Sequence, residues 1–244
     1  MSHNPIQVHI WDAPWVGTAH VSHTEDTLDN DMDPELDFDL DAYDQSHRAD
    51  YDSSNDDSWD EVFDGFKPHV ESYYGTPDDN EVHLILVDRT FDRLGAGKAS
   101  GAVGRADEWA NSNAAVAGVN VGVDAYAEST NCQSGHGTDV FKNTVIHEVG
   151  HCLLHSGLDF YNAPADDCDQ LPHVDHSLGG LDLYKTNDVT PMQTWYTAES
   201  CDNNSSLCDN CTNNGAHSNI DYATQKLTLC ASQEMNEYNN ETTF

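Results

Sequence analysis

The residues with the clearest potential for chemistry are His147, Glu148 and His151, in the segment NTVIHEVGHCLLHSG. Four residues make about one helical turn, so on a helix both imidazoles project from one face and can bind one zinc ion. Glu148 is adjacent, where its carboxylate can take a proton from a metal-activated water and pass it to a leaving amine. The pattern predicts one catalytic Zn²⁺ site with Glu148 as general base.

The residues around this pattern indicate a buried helix. The helix is expected to run from about Val140 to Leu154, with Asp139 as its cap. Its apolar residues include Val145, Ile146, Val149 and Leu153. A core helix does not normally place two histidines and a glutamate among such residues without partners. The competing interpretation is a histidine pair satisfied by ordinary hydrogen bonds.

The motif supplies two zinc ligands and does not identify the third. His155 lies ~12 Å along an unbroken helix from His147, so it can serve only if the helix unwinds after His151. His176, in LPHVDHSLGG, is the better candidate, because this polar loop can fold back over the metal and Asp175 can orient the imidazole. A surface histidine is the alternative interpretation of His176. Two further candidates rank behind these: Asp159 and His173.

These features resemble the zincin metallopeptidases, and among them the metzincins. The resemblance covers about residues 80–197 and includes the strand at 81–91, a second strand at 114–126 and the helix. The segment VTPMQTWY is similar to the Met-turn of that family, with Met192 as the floor beneath the metal. The resemblance implies a zincin-like fold, a peptide or protein substrate, and substrate binding along the strand at 114–126, as an edge of the sheet.

The chain departs from the metzincin pattern after the second histidine. That pattern requires glycine at 154 and histidine at 157, where this chain has Leu154 and Gly157. The third ligand must therefore come from elsewhere. Tyr196 follows the Met-turn and is a candidate donor to a developing oxyanion, with a core tyrosine as the alternative. The D-H-S-L-G segment ahead of the turn resembles secreted zincin-like proteins of halophilic archaea.

The remaining pattern predicts an α+β fold with a small mixed sheet. Residues 6–11 read as an opening strand, 58–74 as a helix capped by Ser58, and EVHLILVDRTF as a central strand. The glycine-rich stretch at 94–104 reads as an ordinary connection. We expect a zincin-like domain at 1–197 and a Cys/Asn-rich C-terminal extension at 198–244 that packs on it.

The net charge is unusually negative. The 244 residues include 44 Asp and Glu but only 9 Lys and Arg, which gives a net charge of −35. Nucleic acid and anionic membranes are poor partners for such a surface, and no stretch approaches the ~20 apolar residues of a membrane helix. Acidity spread along the chain indicates a halophilic source, and we expect a monomer.

The segment at 24–60 is especially rich in aspartate and reads as an acidic insert or an edge segment, with a half-buried strand around Leu36, Phe38 and Leu40. Its aspartates also suggest a Ca²⁺ loop, but Pro34 stands where an EF-hand requires glycine, so Ca²⁺ is unsupported. A solvated acidic face is the alternative.

The 7 cysteines bear on localisation. Four of them favour disulfides that staple a loop-rich tail, with a structural zinc site as the alternative: Cys201, Cys208, Cys211 and Cys230. Cys152 is a candidate partner for Cys132 or Cys168. Disulfides favour a secreted protein whose leader is not in this chain, whereas the N-terminus taken literally favours the cytoplasm of a halophile.

Two functions from different classes follow. The first is a zinc-dependent endopeptidase that hydrolyses peptide bonds. The second is a non-catalytic, zinc-stabilised halophilic binding module with a zincin-like fold. A purely structural site needs no base, so Glu148 favours the enzyme.

Overall fold

Five strands form the main sheet: β1 (Ile6–Asp12), β2 (Leu40–Asp44), β3 (Glu81–Val87), β4 (Gly97–Ser100) and β5 (Ala115–Asn120). Their order is β2-β1-β3-β5-β4, with all neighbours parallel except β4, which runs antiparallel to β5. Three helices accompany the sheet: α1 (Thr18–Thr27), α2 (Trp59–Tyr73) and α3 (Gly137–Leu153). The fold is therefore α+β with a mixed sheet.

The computed structural model describes residues 5–46, 50–89, 94–100, 109, 112–123, 137–154, 181–182, 188–189, 191–192, 222–223, 225–227, 231–232 and 235–236. Within these residues a second, small sheet joins β6 (Leu181–Asp182), β7 (Asp188–Val189) and β8 (Tyr222–Ala223). The described part of the chain contains no helix with the length and apolar character needed to span a membrane.

Both faces of the main sheet are covered by helices. Every residue of β3 is buried, as expected for a central parallel strand with cover on both sides. Val82 and Leu84 belong to one apolar core together with Val21 of α1 and Ile146 of α3. Ile85 belongs to a second core on the opposite face, together with residues of α2. Helix α3 thus lies on the α1 side of the sheet, opposite α2.

The sequence predicted several elements correctly. The opening strand is β1, and the apolar run beginning at Glu81 is the central strand β3. Ser58 caps α2 as predicted, since its side-chain oxygen accepts a hydrogen bond from the Glu61 amide at 3.2 Å. Helix α2 ends before Gly75, as expected.

Three predictions were wrong. The stretch at 94–104 is not only a connection, because it contains the edge strand β4. The strand predicted at 114–126 is shorter (Ala115–Asn120) and lies inside the sheet, where small residues allow close packing on both faces, so it is not the edge strand. Asp139 is not the cap of α3, because that helix begins at Gly137 and Asp139 lies within its first turn.

The acidic segment contributes to the core. Leu28 and Met32 lie in a π-helical turn that continues α1, and both are fully buried. The strand expected around Leu36, Phe38 and Leu40 starts only at Leu40, because a short 3₁₀ helix (Asp33–Glu35) precedes it. Strand β2 forms the edge of the sheet beside β1.

A buried polar network lies on the α2 face, between β1 and β3. His9 and His83 are paired across the two strands, and their Nε2 atoms each lie 3.4 Å from an oxygen of Glu81. The Tyr74 hydroxyl donates to Glu81 Oε1 at 2.6 Å, and Trp11 Nε1 donates to His83 Nδ1 at 3.1 Å. Because His83 accepts at Nδ1, its neutral ring carries the proton on Nε2, directed at the carboxylate.

Residues from the C-terminal part of the chain complete the core beside α3. Leu227, Ala231 and Met235 are buried in the same cluster as the apolar face of that helix. Asn236 also contacts the acidic segment, since its side-chain oxygen accepts from the Asp37 amide at 2.8 Å. The C-terminal residues therefore pack against the sheet-and-helix core.

Candidate metal centre

The candidate ligands lie on helix α3, which is largely buried. It packs against β4 and β5 of the sheet and against β8. Its side chains from Asn143 to Gly150 are all buried, because the sheet covers one side and C-terminal residues cover the other. Near its end, Cys152 Sγ lies 3.8 Å from the carbonyl oxygen of Val116 in β5. The sheet therefore fixes the position of the helix that carries the site.

The two histidine rings meet at their Nε2 atoms. His147 Nε2 and His151 Nε2 are 3.0 Å apart, and the rings are nearly perpendicular, at 87° with centroids 4.6 Å apart. His147 is only 1% exposed, whereas His151 is partly exposed. The helical spacing thus brings two imidazole nitrogens to one point, as the sequence predicted.

A backbone carbonyl orients the His147 ring. His147 Nδ1 lies in short hydrogen-bond contact with the carbonyl oxygen of Pro191, 44 residues further along the chain. A carbonyl oxygen can only accept, so Nδ1 carries the proton and Nε2 carries the lone pair. This is the tautomer that a metal ligand requires, and such a contact at the other nitrogen is typical of metal-binding histidines.

The Glu148 carboxylate lies beside the two rings and against the edge strand. Glu148 is 2% exposed. One oxygen of its carboxylate and one ring nitrogen each of His147 and His151 all lie within 4.8 Å of one another. A β-carbon added to Gly97 of β4 would lie 2.5 Å from Glu148 Oε1 and 2.7 Å from Glu148 Cγ. The absence of a side chain at position 97 leaves the space that Glu148 occupies.

Met192 lies beneath the helix. It is fully buried, and it follows Pro191, whose carbonyl contacts His147. A β-carbon added to Gly150 would lie 2.7 Å from Met192 Sδ and 3.0 Å from Met235 Cε. Gly150 therefore lets the turn at 191–192 approach the helix closely, one residue before the second histidine. The role of Met192 as the floor beneath a metal, which the Met-turn resemblance implied, stays a prediction.

The donor set fits a zinc ion. Two nitrogens that each bond to one tetrahedral zinc at ~2.0–2.1 Å are separated by about 3.3 Å, close to the 3.0 Å between the two Nε2 atoms. The oriented tautomer of His147 supplies one lone pair in that space. Imidazole and carboxylate groups are also the donor types that zinc binds in catalytic sites. Among the described residues, this group is the one whose side chains converge in this way.

Several predicted site residues lie outside the described part of the chain. They are the four candidates for the third ligand, the candidate oxyanion donor and six of the cysteines: His155, Asp159, His173, His176, Tyr196, Cys132, Cys168, Cys201, Cys208, Cys211 and Cys230. The predicted pairing of Cys152 with Cys132 or Cys168 is wrong, because Cys152, which is buried within the described part of the chain, forms no disulfide and its Sγ lies against the Val116 carbonyl oxygen.

Three contributions to the site are not predictable from residue types and their spacing. The Pro191 carbonyl acts through the backbone, which leaves no signal in side-chain type. Gly97 and Gly150 matter because they lack side chains, and their importance depends on which atoms lie opposite them. The glycine between Glu148 and His151 was visible in the sequence, but its contact with Met192 required the fold.

Comparison of the chain with models of protein families finds no match. Comparison with curated proteins likewise finds none.

Proposed function

We propose that this protein is a zinc-dependent endopeptidase of zincin type. The observation that carries the proposal is the convergence of His147 Nε2 and His151 Nε2 at 3.0 Å, with the His147 ring oriented by the Pro191 carbonyl. These two histidines hold the zinc, and His176 is the first candidate for the third ligand, with His155 as the second. A bound zinc ion would supply a Lewis acid that lowers the pKa of a coordinated water to about 7.

Glu148 is the general base in this proposal. Its carboxylate takes a proton from the attacking water while the water oxygen bonds to the scissile carbonyl carbon. When the C–N bond breaks, the same group returns the proton to the leaving amine. Near-complete burial keeps bulk solvent away from the carboxylate, which strengthens its interactions with charge that develops in the site. Tyr196 remains a candidate donor to the oxyanion.

The substrate lies along β4 in this proposal, rather than along the strand at 114–126. Among the described strands, β4 has a neighbour on one side only, and its residue Gly97 adjoins Glu148. An extended peptide can add to such an edge through backbone hydrogen bonds, which bring its carbonyl groups past the base. The Lys98 ammonium of this strand pairs with Asp60 at the start of α2.

The proposal includes an exported protein from a high-salt environment, with disulfides stapling its C-terminal part. The net charge of −35 supports the saline setting, because salt screens the repulsion within so acidic a surface. Four cysteines beyond residue 200 support the staples. A cytoplasmic protein of a halophile is the alternative, and a count of free thiols in the folded protein separates the two: seven thiols favour the cytoplasm.

The test compares wild-type protein with Glu148→Gln in molar salt, using a mixture of unstructured peptides as substrate. We expect the variant to retain one zinc per chain and to lose at least 10²-fold in turnover, because glutamine cannot accept the proton. His147→Ala should lose both zinc and turnover. Substantial cleavage by folded Glu148→Gln protein would rule out this mechanism. Zinc binding without cleavage by the wild type would instead favour the non-catalytic binding module.

A further inference from the structure

Gly97 and Glu148 come from different elements, and neither the metal ligands nor their spacing predicts that they meet. Gly97 is the first residue of the edge strand β4, whereas Glu148 lies on α3. An added β-carbon at position 97 would lie 2.5 Å from Glu148 Oε1, a separation that real side chains do not tolerate. The carboxylate thus fills the space where residue 97 would otherwise carry its side chain.

The contact cannot be relieved by a small movement of the carboxylate. The same β-carbon would lie 2.7 Å from Glu148 Cγ, so rotation of the terminal oxygens alone leaves a clash. On its other side it would lie 2.7 Å from the backbone carbonyl oxygen of Gly118, which belongs to the buried strand β5. Since the neighbouring backbone is held in the sheet, the glutamate side chain must leave its rotamer.

We propose that Gly97 is a positioning residue for Glu148: the absent side chain keeps the carboxylate beside the Nε2 atoms of His147 and His151. The inference rests on the proposed function for its catalytic consequence, but the steric coupling between the two residues does not. Position 97 therefore requires glycine for the orientation of the base as well as for the pairing of β4 with β5.

The first test is a double-mutant cycle on thermal stability, measured without metal in molar salt. Gly97→Ala should lower the Tm of the wild type at least twice as much as it lowers the Tm of Glu148→Ala protein, because removing the glutamate side chain removes the clash. In the isosteric Glu148→Gln background the loss should equal that in wild type. Equal losses in the wild-type and Glu148→Ala backgrounds would overturn the proposal.

A matched control changes β4 without altering the space around Glu148. Lys98→Ala removes the ion pair with Asp60 and should lower the Tm equally in the wild-type and Glu148→Ala backgrounds. If Gly97→Ala fails to fold alone but folds together with Glu148→Ala, the coupling is supported in its strongest form. If neither Gly97→Ala nor the double variant with Glu148→Ala folds, the contact with the β5 backbone alone requires glycine at position 97, and the proposal is wrong.

The second test separates this inference from the proposed function. In Gly97→Ala protein we expect full zinc occupancy, a loss of at least tenfold in kcat, and a KM within threefold of wild type. Lost zinc, or a raised KM with unchanged kcat, would mean that position 97 serves the metal or the substrate strand instead of the base. If wild-type protein cleaves nothing, the peptidase proposal fails, while the stability cycle still decides whether Gly97 positions Glu148.

Discussion

His147 donates its Nδ1 proton to the carbonyl oxygen of Pro191, so the candidate metal centre depends on a turn that lies 44 residues beyond this histidine in the chain. The next residue, Met192, packs against Gly150 of the same helix. The turn is therefore held to α3 at two points, one by a hydrogen bond and one by close packing. Disturbing either contact should alter the orientation of the His147 ring.

Gly150→Ala tests the packing contact. The added methyl group meets Met192 Sδ at 2.7 Å and Met235 Cε at 3.0 Å, so both methionine side chains are displaced and push on the turn that carries Met192. We expect the free energy of unfolding to fall by about 1–3 kcal/mol, the usual effect of overpacking a core. Zinc affinity should fall as well, because the Pro191 carbonyl moves with the turn. Chemical denaturation and zinc titration measure the two effects.

Gly17→Ala is the matched control for that substitution. An added β-carbon there makes only an ordinary contact of 3.8 Å with His20 Nδ1. Its effect on stability should stay within about 0.5 kcal/mol, with unchanged zinc affinity. If Gly150→Ala leaves both quantities as unchanged as Gly17→Ala does, the turn at 191–192 does not support the site.

The buried network around Glu81 predicts a loss of stability in acid. Burial lowers the pKa of His83 to about 4 from 6.5, against the opposing effect of its hydrogen bond to Glu81. Below about pH 6.5, His83 is protonated in the unfolded chain but stays neutral in the folded protein. The free energy of unfolding therefore falls as the pH falls towards 4. The full effect of this shift is ~3 kcal/mol.

Glu81 extends the same trend to lower pH. Burial acts to raise the pKa of Glu81, but hydrogen bonds from His83, His9 and Tyr74 outweigh it and hold the pKa below its usual range of about 4.5. The stability that Glu81 contributes is therefore present above pH 4.5 and is lost as the pH falls below that value. His83 and Glu81 together make the fold acid-sensitive, with His83 responsible at the higher pH.

Denaturation of His83→Gln at pH values from 7 to 4.5 tests this assignment. The variant should be less stable than wild type at pH 7, because it loses the buried ring, yet its stability should decline less steeply with acid. His23→Gln, at a partly exposed position on α1, serves as the control and should keep the wild-type slope. An unchanged slope in His83→Gln would show that other groups cause the acid sensitivity.

Asp12 predicts the opposite dependence on pH. Burial, followed by the charge of Asp50, raises the pKa of Asp12 to about 6. The folded protein therefore holds this proton more tightly than the unfolded chain does, and the free energy of unfolding falls as the pH rises from about 4 to 6. Asp12→Asn should stabilise the protein at pH 7, and the gain should vanish below pH 4. A gain that persists at low pH would contradict this explanation.

Salt should reduce part of that gain. The contribution of Asp50 to the pKa of Asp12 is a repulsion between like charges, which molar salt screens, whereas the contribution of burial is not screened. The stabilisation by Asp12→Asn at pH 7 should thus be larger in dilute buffer than in molar salt. Repulsion of this kind also acts elsewhere, since burial and then Asp44, Asp29 and Asp26 raise the pKa of Glu25.

The parts of the fold that were predictable from sequence are those with a local signal. Each of these signals lies within a short stretch of sequence. They are the apolar run of β3, the capping serine of α2 and the four-residue spacing of the histidines. Strand β4 was missed because it has four residues, Gly97-Lys98-Ala99-Ser100, and none is a strong strand former. Its pairing with β5 is a tertiary effect that overrides local preference.

The candidate site shows the same division between local and distant contacts. The ligand types and their spacing along α3 are local, so the pair His147 and His151 could be predicted together with Glu148. The Pro191 carbonyl and Gly97 reach the site from other elements, and their roles depend on the position of the backbone. Sequence alone also took the strand at 114–126 as an edge of the sheet, whereas β5 lies inside the sheet and β4 forms the edge.

The most direct test of the account is the number of zinc ions bound per chain, measured by elemental analysis in molar salt after zinc is supplied. We predict one zinc for the wild type and none for His147→Ala, His151→Ala or His176→Ala. His155→Ala and His23→Ala should keep it. Folded wild-type protein that binds no zinc, or His147→Ala protein that still binds one, would contradict the metal centre and the peptidase function built on it.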